Sequence, residues 1–165
     1  MNFKIAIVAA GFLVATSLSA FAQNRGPETN LPLPRFVSMK ASEGNARRGP
    51  SLTHRIDWVF KLKDQPLEIT AEHSHWRRVR DRDGAGGWIH YSLLSGARTV
   101  LIEKDLLDMR SNPNDTALVV AHLERGVVAH IDECHADWCR LKVGGYRGWA
   151  PKGHLWGVAS SEILN

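Results

Sequence analysis

The chain has 165 residues, a formal net charge of +4 from 21 basic and 17 acidic side chains, and two cysteines. That length admits one ordinary domain or two very small ones. Two thiols without a second close Cys/His pair fall short of a structural zinc site, and beyond residue 22 no apolar run approaches the roughly 20 residues that a bilayer span needs.

Met1 to Ala22 has the makeup of a secretory signal peptide: Lys4 in the n-region, an apolar stretch from Ile5 to Ala15, and the small-x-small pattern Ala20-Phe21-Ala22. The mature chain is therefore expected to begin near Gln23, in the periplasm or outside the cell, with no stable membrane span left after cleavage. Residues 23–34 turn polar and then proline-punctuated, Leu31-Pro-Leu-Pro34, which reads as an extended linker because Pro32 and Pro34 fix φ and lack amide donors.

From Phe36 onward short runs alternate with turn residues. Strands are expected at 36–40, 56–61, 66–71, 76–80 and 88–91, with Asn45 to Ser51 as a turn. The order then recurs at 99–102, 107–114 around an Asn-Pro-Asn turn, 117–123, 127–132, 138–143 and 148–151. Only Ser92-Leu-Leu and Gly153-His-Leu suggest helix, as single 3₁₀-type turns. The expected class is all-β.

The recurrence is clearest in Trp76-Arg-Arg-Val-Arg-Asp-Arg-Asp-Gly-Ala-Gly-Gly-Trp88 and its altered copy Trp138-Cys-Arg-Leu-Lys-Val-Gly-Gly-Tyr-Arg-Gly-Trp149. Each reads as a hairpin whose glycines (84, 86, 87 and 144, 145, 148) can supply positive φ. Superposition aligns Arg48 with Arg110, Trp76 with Trp138, Trp88 with Trp149 and Leu94 with Leu155. Two repeats follow, 35–96 and 97–157, with 158–165 as a C-terminal tail. Residues 35–96 carry 11 basic and 7 acidic side chains and residues 97–157 carry 8 of each, so the first repeat holds the charge excess.

Cys134 and Cys139 are expected to form a disulfide, since an exported chain meets an oxidising compartment and a hairpin can bring the pair within bridging range. His73 and His75 would share a side if their segment were extended, but no third ligand lies near in sequence, and no metal or cofactor is expected. Patterns for serine hydrolases, phosphate loops and zinc peptidases are absent. Asp81 and Asp83 alternate with arginines at a turn and read as surface ion pairs rather than an acid pair for glycan cleavage.

Asn45-Ala-Arg-Arg-Gly-Pro-Ser51, Trp76-x-x-Val79, Gly87-Trp88-Ile-His90 and a following leucine together resemble the bacterial SH3-like (Src-homology-3-like) domain, whose pattern runs close to N-V-R-x-G-P-S, G-W-x-x-V and G-W-V. The resemblance covers 36–95 well and 98–156 more loosely. The chain departs from the pattern at Ala46, at Asp64-Gln65-Pro66, and across Leu107 to Pro113, which lacks the Gly-Pro. The resemblance implies two tandem small β-barrels of about five strands each. It also implies use as a binding module in exported bacterial proteins, often for peptidoglycan or its peptides, with no catalysis of its own.

Strand parity adds a candidate face. Trp76, Arg78 and Arg80 share one side of their strand opposite Val79, and Trp138 and Arg140 repeat the arrangement opposite Cys139 and Leu141. Aromatic rings beside guanidinium groups suit stacking on carbohydrate or peptide and pairing with carboxylates. Alternatively, Trp76 and Trp138 plug the barrel ends or the contact between repeats; Trp88 and Trp149, each after a glycine, read as packing residues. The expected protein is thus a non-enzymatic exported adaptor for peptidoglycan or an envelope peptide, its basic first repeat kept from nucleic acid by the exported address. The alternative is a structural or protein–protein module with the tryptophan faces buried between repeats or under a partner.

Overall fold

The computed structural model describes residues 24–165, so the signal-peptide assignment and Gln23 lie outside the described residues. The first repeat contains β1 (Arg35–Met39), β2 (Gly44–Arg47), β3 (Ile56–Phe60), β4 (Pro66–His73), β5 (Trp76–Arg80), β6 (Gly86–His90) and β7 (Leu94–Ser95). The second contains β8 (Thr99–Ile102), β9 (Leu106–Arg110), β10 (Val119–Glu124), β11 (Val128–Cys134), β12 (Trp138–Val143), β13 (Tyr146–Pro151) and β14 (Leu155–Trp156). The first sheet runs β3-β2-β6-β5-β4-β1-β7 and the second β10-β9-β13-β12-β11-β8-β14, the same order twice. All pairings between these strands are antiparallel. Single 3₁₀ turns fall at Tyr91–Leu93 and Lys152–His154, close to their expected places.

Each sheet holds seven strands rather than about five. In the first repeat one addition is β2, where a turn was expected from the Asn, Gly and Pro of residues 45–51. Asn45 and Ala46 instead pair with Val59 and Trp58, and only the residues after Arg47 turn. Ala46 is fully buried. The other addition is the two-residue strand closing each repeat, too short to show a period in sequence.

Alternation along these strands fills two cores. Met39, Phe60, Leu67, Ile69, Val79 and Ile89 pack in the first repeat, and Val100, Ile102, Leu107, Met109, Leu141 and Leu155 in the second. Of the glycines in these two hairpins, Gly84 (85°) and Gly145 (85°) take positive φ at the turns. Gly86 and Gly148 are glycines for a different reason. A Cβ on Gly86 would meet the Val79 carbonyl oxygen at 2.1 Å, and one on Gly148 the Arg110 carbonyl oxygen at 2.7 Å.

The expected linker is not free. Residues 24–34 form a turned segment, with an Arg25–Pro32 bridge and a Gly26 amide to Leu31 carbonyl bond of 2.8 Å, and Leu33 joins the first core. The prolines do prevent a long strand. What their spacing could not reveal is the anchor, Glu72, whose carboxylate accepts from the amides of Glu28 and Thr29, both at 3.0 Å, and from the Thr29 hydroxyl at 2.7 Å. The C-terminal tail is tied as well. Leu164 exchanges two backbone hydrogen bonds with Cys134 (2.8 and 3.0 Å), and Glu162 pairs with Arg98.

The repeats meet through a small buried polar node. The Ser38 hydroxyl lies 2.6 Å from the Ala97 carbonyl oxygen and 2.7 Å from the Thr99 hydroxyl, which donates to the Asp64 carbonyl at 2.7 Å. Around it, Phe36 meets the Trp156 ring edge-on at 5.2 Å, and Arg82 pairs with Glu103 at 2.9 Å.

Candidate ligand-binding site

Four strands of the first sheet align a transverse row of side chains. Ala71 on β4 faces Arg78 on β5, Arg78 faces Trp88 on β6, and Trp88 faces Arg47 on β2. Beside this row is a groove of about 620 Å³ whose walls include Arg47, Arg48, Arg78, Arg80, Asp57 and Trp88.

Most of these guanidinium groups already have partners. Arg47 Nη1 donates to the carbonyls of Leu52 (3.0 Å) and His54 (2.7 Å), bracing the loop after β2. Arg48 Nε donates to Asp57 at 3.1 Å, and Arg55 holds the other carboxylate oxygen at 2.7 Å. The hydrogen bond from Arg48, helped by Arg55, keeps the Asp57 carboxyl below its ordinary range against the opposing push of desolvation. Arg80 pairs with Glu68. Among the described residues no carboxylate pairs with Arg78, which is exposed beside the Trp88 ring.

Trp76 keeps the face that parity assigns but is only 8% exposed. Its ring meets His90 edge-on at 5.7 Å, and it lines a neighbouring cleft of about 310 Å³ that shares Arg47 with the basic groove. His73 and His75 do not converge, because Ser74 between them takes φ 50° at the hairpin tip. His73 lies edge-on to Trp88 and His75 stacks on His90 and Tyr91.

The second repeat builds the same row with different contents: Glu133 faces Arg140, Arg140 faces Trp149, and Trp149 faces Arg110. Arg140 is held by Glu133 at 3.3 Å, and Arg110 by Asp108 at 2.9 Å and the Ala117 carbonyl at 2.8 Å. Trp138 is half-buried opposite Pro151, and Trp149 packs on His135 with ring centres 4.8 Å apart. Arg110 therefore corresponds to Arg47, not to Arg48. The sequence superposition matches Arg48 and Arg110 on the turn residues that follow each, whereas the strands align the arginines that face a tryptophan and brace the following loop. Cys134 and Cys139 form the disulfide, facing each other across the β11–β12 hairpin with Cα atoms 4.1 Å apart, both fully buried.

Sequence reasoning placed Arg78 and Arg80 in the groove but left out Arg47, Arg48 and Trp88. A signal existed for two of these: Arg47 lies inside the Asn45 to Ser51 motif, and Trp88 follows a glycine on the strand beside Arg78.

Two like-ordered antiparallel sheets, each with a cation–tryptophan row across it, define a tandem duplication of one small all-β domain. The chain belongs to the bacterial SH3 domain family, whose model matches residues 40–96 and 103–157. No curated protein matches the chain. Among solved structures it is similar to NlpC2 from Trichomonas vaginalis at 15% identity and a TM-score of 0.35, covering 74% of this chain and 48% of that one. NlpC1 from the same organism is similar at 16% identity and a TM-score of 0.34, with 74% and 45% covered. The chain thus spans about half the length of these two structures.

Proposed function

We propose that this protein is a cell-envelope binding module that captures peptidoglycan or an envelope peptide on the β4–β5–β6–β2 face of its first repeat. The observation that carries this reading is Arg78, an exposed guanidinium that no carboxylate of the described chain neutralises, set beside Trp88 in a groove bordered by further arginines. Such a site offers a planar charged donor and an apolar ring together, the pair that a peptide with an anionic group requires. Family membership favours a binding role, and the secretory makeup of residues 1–22 favours an envelope address. Arg80, paired with Glu68, borders the same groove, and the Trp76 cleft extends the surface.

Incubation with purified sacculi followed by sedimentation tests the reading. The protein should co-sediment and Arg78→Gln should remain largely in the supernatant; unmodified protein staying in the supernatant would refute wall binding. A second reading, a docking module for an envelope protein, is favoured by the exposed Ile56 and Trp58 on edge strand β3. Quenching of Trp58 emission by an added envelope extract but not by sacculi would select it.

A further inference from the structure

The row Ala71–Arg78–Trp88–Arg47 and the row Glu133–Arg140–Trp149–Arg110 are built on the same backbone, down to a register irregularity at the same place: between Ile69 and Ala71 in β4, and between Ile131 and Glu133 in β11. The arginine and tryptophan of the two rows correspond. The residue facing the arginine does not. In the second repeat it is a glutamate, whose carboxylate sits 3.3 Å from Arg140 Nη1. In the first it is alanine, so the place that Glu133 fills with a carboxylate carries only a methyl group.

We infer that Glu133 occupies in the second repeat the position that a ligand carboxylate takes in the first, making Ala71, Arg78 and Trp88 a subsite for a free carboxylate on a bound peptide. The inference deepens the proposed envelope-binding role by naming the group recognised, and it assigns recognition to one repeat only. The charge pattern agrees. Arg48 and Arg80 are neutralised by Asp57 and Glu68, Arg47 keeps its charge because its partners are the neutral carbonyls of Leu52 and His54, and Arg78 has no carboxylate partner among the described residues and is left to pair with an incoming anion. A ligand whose carboxylate is amidated would leave the Arg78 charge facing a neutral group and lose the charge-assisted bond.

The same comparison supplies the experiment, because each repeat shows what the other tolerates. N-acetyl-alanyl-alanine with a free carboxylate, and the same dipeptide as its C-terminal amide, are titrated against the protein while backbone amide and Trp side-chain NMR shifts are followed. The acid should shift Ala71, Arg78 and Trp88, and the amide should bind at least about tenfold more weakly, the loss expected for one charge-assisted hydrogen bond. Ala71→Glu should abolish the shifts while leaving the thermal midpoint near that of the parent, since Glu is accommodated at the matching position. Glu133→Ala should create a second set of shifts at Arg140 and Trp149. Equal binding of acid and amide overturns the inference, as does Ala71→Glu binding like the parent. Sacculi sedimentation separates this from the broader reading: retention of the Ala71→Glu protein on sacculi sinks the carboxylate subsite and keeps wall binding. Acid-specific shifts in a protein that sacculi do not retain sink wall binding and keep the subsite.

Discussion

Glu72 and Cys134 occupy the same position in the two repeats: each faces, across its hairpin, the partner that closes it, Arg77 in the first case and Cys139 in the second. The first repeat makes the closure with an ion pair of 3.5 Å and the second with a covalent bond. Both positions also anchor a terminus. Glu72 gathers residues 28–29 through its carboxylate, and Cys134 gathers Leu164 through its backbone. The duplicated hairpin thus fastens the described chain at both ends by different chemistry.

The Glu72 side chain makes a pH dependence. Burial pushes its carboxyl up, but bonds from Thr29, Arg35 and the amides of Thr29 and Glu28 outweigh that and bring it down from 4.5 to about 2. A carboxyl depressed in the folded state stabilises fully above its unfolded value and loses that contribution as pH falls through its folded value. The stability tied to Glu72, about 3 kcal/mol, should therefore disappear between pH 4.5 and about 2. Denaturant melts of the parent and Glu72→Gln across that range check this. The gap between them should be wide at pH 6 and shrink towards pH 2; a constant gap would show that the carboxylate's charge is not what holds residues 24–34.

For Cys134 and Cys139 the expectation is redox dependence of modest size. So short a loop removes little unfolded-state entropy, about 2 kcal/mol. Reductant should lower the melting midpoint without removing the far-UV β signature, because Val100, Ile102, Leu141 and Leu155 form a core around the pair. Thiol titration of denatured, unreduced protein should find no free cysteine; two reactive thiols would contradict the bond.

The polar node between the repeats predicts coupling. Thr99 is 1% exposed and donates to the Asp64 carbonyl, so Thr99→Val leaves that carbonyl and Ser38 sharing one fewer proton. The cost should be about 1–3 kcal/mol, the range for a buried group deprived of its partner. Hydrogen exchange is the sensitive readout: amides of β1 and β8 should both lose protection in Thr99→Val, and loss confined to β8 would mean that the repeats open independently.

How much of this the sequence discloses depends on whether a residue's partner is local. The Trp76 to Trp88 hairpin, its copy, the 3₁₀ turns and the disulfide all have partners within one hairpin, and alternation or spacing marks them. β2 escaped because Asn45 and the Gly-Pro after it signal a turn, while the pairing of Asn45 with Val59 is set by the partner strand. Glu72 escaped more completely, since nothing near it announces the segment that it holds 43 residues away. The candidate site shows the same divide. Parity put Arg78 and Arg80 on one face, but parity cannot tell that Arg80 is paired with Glu68 while Arg78 is not.

Trp76 and Trp88 differ in burial, and that difference decides which substitution can test binding without also testing the fold. Trp76 is 8% exposed and enclosed by His90 and the walls of its cleft, so Trp76→Ala should create a cavity and cost about 3–5 kcal/mol of stability. A loss of binding in that variant would be ambiguous, because a destabilised β5 also moves Arg78. Trp88 is only partly buried and lies directly across from Arg78 on the groove wall. Because Trp88 is only partly buried and leucine keeps an apolar side chain, Trp88→Leu should cost less stability than Trp76→Ala, while removing the ring that a bound ligand would stack against. Parallel melts and sacculi sedimentation of the two variants check both statements. Trp88→Leu should melt closer to the parent than Trp76→Ala does and lose retention; full retention in Trp88→Leu would remove Trp88 from the binding surface.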